Sequence, residues 1–120
     1  ISGQSDNIEV VSVVDRLLEH SRIFIFCNNG DERYYISSAD WMTRNLDYRI
    51  EVATPVYDEN NKKELKRIVE YALNDNVNAR IINPKQDNTF KKVNPKKPYR
   101  SQMELYSYYL NIGNQKLEKS

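Results

Sequence analysis

The stretch "RIFIFCNNGDERYYISS", residues 22–38, decides how the rest of the chain is read. Its opening, residues 22–27, is a short continuous apolar run of the kind that forms a buried strand. "NNGD" at 28–31 carries an Asn-Gly pair, which favours a tight reversal because both residues tolerate positive φ. "ERYYISS" follows, rich in aromatic and β-branched side chains, and predicts a second strand. The product is a β-hairpin that returns residues 37–40 to the side of the strand that His20 precedes.

Working outward, residues 7–19 place Val10, Val11, Val14, Leu17 and Leu18 at helical spacing, with Asp6 and Glu9 in capping-box positions, so a helix ending at His20 is expected. "ADWMTRNL" at 39–46 suits a short helix or turn. In "YRIEVATPV", Tyr48, Ile50 and Val52 alternate with Arg49, Glu51 and Ala53, which predicts a strand. Residues 59–74 give the clearest helix, with Leu65, Ile68, Val69, Ala72 and Leu73 on one stripe after an Asp58 cap. "NARIIN" at 78–83 predicts a strand, and residues 83–98 a long functional or mobile loop. A closing helix is expected over 101–113, with Ser101 and Glu104 as a second capping box. Helices and strands alternating around a mixed sheet make an α/β fold.

With 120 residues the chain has the length of one domain, and 29% charged against 39% apolar residues fits a globular one. The start at Ile1 suggests a piece of something longer, and no signal peptide or membrane span is legible. Cys27 is the only cysteine and His20 the only histidine, which excludes an internal disulfide and argues against structural zinc. Residues 80–100 hold seven basic side chains against Asp87 alone, a block able to attract a polyanion.

His20 is the residue on which a function turns. A histidine closing a helix is ordinarily explained by the dipole at the helix C-terminus. Here, however, the hairpin and the next strand bring serines, arginines and carboxylates towards it. An imidazole of this kind serves phosphoryl transfer as nucleophile or proton carrier. Guanidinium groups take up phosphate oxygens in pairs, and a carboxylate fixes the ring tautomer.

The residues also carry a family resemblance. "SDNIEVVSVVDRLLEHSRIFIF" and "GDERYYISSADWMTRNLDYRIEVATPV" closely resemble the C-terminal part of bacterial polyphosphate kinases. "ISSADWMTRNLDYRIEVATP" at 36–55 looks like that family's signature, and "RSQMELYSYY" at 100–109 is similar to its closing helix. The resemblance implies a phospholipase D-like α/β/α sandwich, present here as an incomplete domain. That wider group uses H-x-K, an aspartate and G-S-x-N. This chain has His20-Ser21-Arg22, Cys27 near the aspartate position and "SSAD" at 37–40, departures that polyphosphate kinases share.

What the resemblance implies is reversible transfer of the ATP γ-phosphate to the end of polyphosphate, with magnesium, through a phosphohistidine in a preceding domain. His20 matches the second histidine, at the ATP site, and Glu51 the carboxylate that supports a catalytic histidine from behind. The family's nearby ATP-binding arginine falls upstream of Ile1, and magnesium is bound mainly outside these residues. Arg22, Ser38, Asp40 and Arg44 are expected at ATP or phosphate, and Lys91, Lys92, Lys96 and Lys97 as a rim steering polyphosphate. Arg49 is expected to pair with Asp40, Asp47 or Glu51, and Trp41 and Met42 to pack. ATP, ADP, polyphosphate, the parent chain's other domains and further copies of itself are the expected partners, with no nucleic acid. The expected location is the cytoplasm, with peripheral membrane association open. The rival functions are a phospholipase D-like phosphodiesterase and a non-enzymatic polyanion-binding module resting on the lysine-rich loop.

Overall fold

The computed structural model describes residues 7–40, 42–91 and 97–118. Asp6, Trp41, Lys92 and Lys96, named above, lie outside the described residues. The chain divides into two compact units, one built from residues up to 18 and from 70 onward, the other from residues 19–69. The fold is α/β, as expected, but every strand pairing among the described residues is antiparallel, in two separate sheets. The single mixed sheet is therefore corrected.

The unit of residues 19–69 is organised by the hairpin. Strand β2 (Ile23–Phe26) pairs with β3 (Arg33–Ser37) in the register Ile23↔Ile36 to Phe26↔Arg33. The turn between them is tight because Asn28, Asn29 and Gly30 all take positive φ, at 44°, 55° and 93°. Gly30 N then donates to Cys27 O at 2.9 Å. Tyr34, in the middle strand, is 4% exposed and is the buried apolar residue among the described residues of this unit. Strand β4 (Ala53–Val56) pairs with the other side of β3. It holds Pro55, which has no N–H to give a further neighbour and suits an edge strand.

The predicted strand over 48–56 is thus half right. Residues 48–52 leave the ladder, and Tyr48 and Ile50 are 82% and 100% exposed. The hydrogen bonds described in the next subsection draw this segment towards Ser38 instead. Between β3 and β4 a single turn of helix, α1 (Thr43–Leu46), buries Asn45. Helix α2 (Glu59–Asn74) has its predicted limits, and its first turn is capped as expected, by Asn61 N donating to Asp58 Oδ1 at 2.9 Å.

In the other unit, the predicted N-terminal helix is absent. Its residues form a three-residue strand, β1 (Val11–Val13), paired with β5 (Ala79–Ile81), and irregular chain through 14–22. The valine-rich run that mimicked helical spacing is stiff at χ1 and prefers a pleated backbone. Leu17 and Leu18, the supposed end of an apolar stripe, are 67% and 92% exposed. Ala79, fully buried, is this unit's apolar centre.

Helix α3 (Ser101–Glu118) runs past the predicted end at Gly113. Ser101 is its first helical residue rather than its cap. The cap is Asp75, fully buried, whose Oδ2 accepts from Ser101 N at 2.7 Å. Its Oδ1 accepts from the backbone N–H groups of Val77, Asn78 and Ala79 at 2.7–3.0 Å. Arg100 forms a two-pronged ion pair with Asp15, Nη2 to Oδ1 at 2.6 Å and Nε to Oδ2 at 2.9 Å. Tyr71 packs against Tyr99 and Tyr108, with ring centroids 5.7 and 6.1 Å apart.

Candidate functional site

With no helix over 14–22, the helix dipole is removed as an explanation of His20. Its imidazole is exposed and lies against Arg22. Nη1 of Arg22 is 3.2 Å from Nδ1, and Nη2 is 3.2 Å from Nε2. A guanidinium only donates, and a neutral imidazole has one accepting nitrogen, so one of these contacts at a time is a hydrogen bond.

Arg22 is fixed at its other end. Nε donates to Asp40 Oδ1 at 2.6 Å, with the arginine side chain 20% exposed and the aspartate 40%. The hairpin makes this possible, because Ser37 N donates to Arg22 O at 2.9 Å and the chain then turns through Ala39 into Asp40. The hydrogen bond from Arg22 holds the Asp40 carboxyl below its ordinary pKa, against the opposing effect of burial, and Asp40 in turn raises that of Arg22. Asp40 was expected to line a phosphate pocket. Among the described residues its ion-pair partner is Arg22.

Glu51 does not reach His20 by any hydrogen bond among the described residues. Its Oε2 accepts from Ser38 Oγ at 2.5 Å and its Oε1 from Asn45 Nδ2 at 2.8 Å. Those two donors, Ser38 first, hold its carboxyl below the usual range. Ser38 also accepts from Val52 N at 3.1 Å, while its own N donates to Val52 O at 3.0 Å. Ser38, Asn45, Glu51 and Val52 thus form one knot that sets the path of residues 48–52. Asn45 was missed in the sequence. Its 4% exposure inside a four-residue helix is what singles it out, and no periodicity marks it.

Arg44 and Arg49 are exposed, and neither forms a hydrogen bond or ion pair with Asp40, Asp47 or Glu51 among the described residues. Arg49 acts on Glu51 only through its field, so the pairing expected of it is not made. Met42 is 43% exposed rather than packed away.

The basic block is largely occupied within its own unit. Lys91 donates to Leu73 O at 2.9 Å and pairs with Glu9 at 3.1 Å, its side chain 15% exposed. Arg80 lies over the Phe90 ring, 4.1 Å from its centroid, and Arg100 is taken by Asp15. Part of the long loop folds back, with Ile81 N donating to Thr89 O and Lys91 N to Ala79 O at 2.9 and 2.8 Å. Lys97 is described and exposed. No cluster of three His, Cys, Asp or Glu side chains among the described residues could hold a metal ion.

Comparison with known proteins decides what this arrangement belongs to. Residues 1–102 match the family model described as polyphosphate kinase C-terminal domain 2. The chain belongs to the polyphosphate kinase family. Its C-terminal-domain sequence is 49% identical over 112 residues to the polyphosphate kinase of Klebsiella pneumoniae, and 46% identical over 112 residues to that of Escherichia coli K12. Each alignment takes in 93% of this chain and 16% of the relative, so the chain spans about a sixth of the length of these relatives. In three dimensions it is similar to the crystal structure of the polyphosphate kinase from Porphyromonas gingivalis, with a TM-score of 0.87 and 45% identity. That match covers 93% of this chain and 17% of the other.

Proposed function

We propose that this polyphosphate kinase segment supplies part of the nucleotide site of an enzyme that moves the ATP γ-phosphate reversibly to the end of polyphosphate. A histidine in a preceding domain carries the phosphoryl group between the two. His20 lies at the ATP phosphates and carries a proton to or from the departing or attacking phosphate oxygen. The observation behind this reading is the His20–Arg22–Asp40 cluster, in a chain that belongs to the family.

The chemistry follows from the donor set. Phosphoryl transfer asks little covalent work of a protein and much positioning and charge neutralisation. Arg44 and Arg49, exposed and without ion-pair partners among the described residues, are available to equatorial oxygens. Lys97, in the other unit, is a separate exposed cation that attracts a polyanionic chain. Magnesium supplies charge neutralisation on ATP when bound. The described residues make no all-protein site for it. The enzyme is proposed to be a homo-oligomer working in the cytoplasm or at the membrane surface. None of the described helices is long and apolar enough to cross a membrane.

The test is polyphosphate synthesis from ATP by the full-length polypeptide that carries this segment, comparing wild type with His20→Ala and following phosphoenzyme in the same samples. Synthesis should collapse while phosphoenzyme still forms. Unchanged synthesis would remove His20 from the mechanism.

A further inference from the structure

Asp40 makes no hydrogen bond to His20 among the described residues, yet Arg22 links the two. Arg22 has three nitrogens in a rigid plane, and each has a defined neighbour. Nε is held by Asp40 at 2.6 Å, and the two Nη groups stand 3.2 Å from the two ring nitrogens of His20. We infer that Arg22 and Asp40 act as one positioning pair, in which Asp40 pins the guanidinium and the guanidinium sets the orientation of the His20 ring. The inference rests on the proposed role of His20 at ATP and changes what its neighbours are for.

Three physical points support it. First, a guanidinium whose Nε is bonded cannot rotate about its last torsion without breaking that bond, so its outer edge is preorganised. Second, the pair is partly shielded, at 20% and 40% exposure, which keeps it from the indifference of a fully solvated ion pair. Third, with Asp40 neutralising it, Arg22 is a poor phosphate clamp compared with Arg44 and Arg49, which have no ion-pair partner among the described residues. A lysine at position 22 would keep the charge and lose the fork, since one ammonium cannot face Asp40 and both ring nitrogens in a plane. Ser37 N bonded to Arg22 O supplies the backbone anchor that holds the pair's two ends in register.

The experiment uses the full-length polypeptide with Arg22→Lys, Asp40→Asn, Asp40→Glu and the Arg22→Lys/Asp40→Asn double variant. Two readouts are taken: kcat and KM for ATP, and the rate at which diethyl pyrocarbonate modifies His20, followed on its own peptide by mass spectrometry. The two disruptive single variants should lower kcat about 10- to 100-fold, as misplacement of a reacting group does, with KM for ATP within about twofold. The double variant should be no worse than the poorer single, because both break the same unit. Asp40→Glu, which keeps the negative charge that Asp40→Asn removes, should recover part of the loss. His20 modification should quicken in both disruptive single variants, because its ring nitrogens are released.

Two results overturn the pair. One is a large rise in KM for Arg22→Lys with Asp40→Asn harmless, which makes Arg22 a direct phosphate ligand. The other is an unchanged modification rate in Asp40→Asn, which shows that nothing reaches His20 from Asp40. If the wild-type enzyme makes no polyphosphate, the proposed function fails, and the modification rates still decide the positioning pair.

Discussion

Asp75 in one unit, and Asp40 and Glu51 in the other, are spent differently. In the unit of residues 70–118 and 7–18, Asp75 is fully buried and gives both oxygens to backbone N–H groups, of Val77, Asn78, Ala79 and Ser101. In the unit of residues 19–69, Asp40 and Glu51 stand at the surface and bond to side chains, Arg22 in one case and Ser38 with Asn45 in the other. A carboxylate that satisfies main-chain donors closes a turn and starts a helix; it shapes chain. One that bonds to a guanidinium or a hydroxyl shapes a constellation of side chains. The difference separates Asp75, which orders the main chain, from Asp40 and Glu51, which order side chains around them.

Four experiments press on that comparison. The largest effect is expected from Asp75→Ala, which leaves four backbone donors without their acceptor. Each lost buried hydrogen bond costs on the order of 1 kcal/mol or more, so a loss of at least about 3 kcal/mol is expected. Hydrogen exchange at residues 77–81 of the full-length polypeptide should accelerate accordingly. Protection left intact there would break the contrast.

Acid comes next. Burial pushes the Asp75 carboxyl up, but the N–H groups of Ser101, Asn78 and Ala79 outweigh it and the net direction is down. Asp40 and Glu51 are also held down, by Arg22 and by Ser38 with Asn45. A depressed folded-state pKa contributes stability that is present above the unfolded values of about 3.9 for Asp and 4.3 for Glu, and is lost as pH falls through the folded ones. Exchange patterns in both units should therefore be constant from neutrality to about pH 5 and loosen only below about pH 4. Loosening already near pH 6 would assign the sensitivity to other groups.

Asn45→Ala is expected to have a smaller, local effect. It removes one donor to Glu51 from a residue 4% exposed, at a cost of about 1–2 kcal/mol. Exchange should quicken over 45–52 and stay unchanged over 77–81. The smallest effect on stability belongs to Arg44→Ala, within about 0.5 kcal/mol, because its side chain is exposed and bonds to nothing described. Its effect should appear instead as a raised KM for ATP, and an unchanged KM would leave Arg44 as plain surface.

The fold was legible wherever local chemistry settles the backbone. The Asn-Gly turn, the Asp58 cap and the apolar stripe of α2 act within a few residues, and the hairpin and helix follow from them. The valine run at 10–14 was misread because its partner, Ala79–Ile81, is distant in sequence, and spacing alone fits a helix as well as a short strand. Residues 48–52 alternate as a strand does, yet Glu51 is drawn away by Ser38 and Asn45. In the site, His20, Arg22 and Asp40 were each visible as candidates, but their order of contact was not. That Asp40 serves Arg22, that Glu51 serves Ser38, and that Lys91 faces Glu9 are consequences of side-chain geometry that no spacing encodes.

The pairing of β1 with β5 has one more consequence, which concerns the order of events during folding. Val11 meets Ile81, 70 positions later in the chain, whereas every pairing of β2, β3 and β4 joins neighbours in sequence. Closing a loop of that length carries an entropic cost that short hairpins escape, and contacts between distant positions slow a chain's arrival at its native state. β1 is made before β5, and their pairing has to wait until β5 has been made. The strands beside His20, Arg22 and Asp40 are joined by local pairings alone and face no such wait.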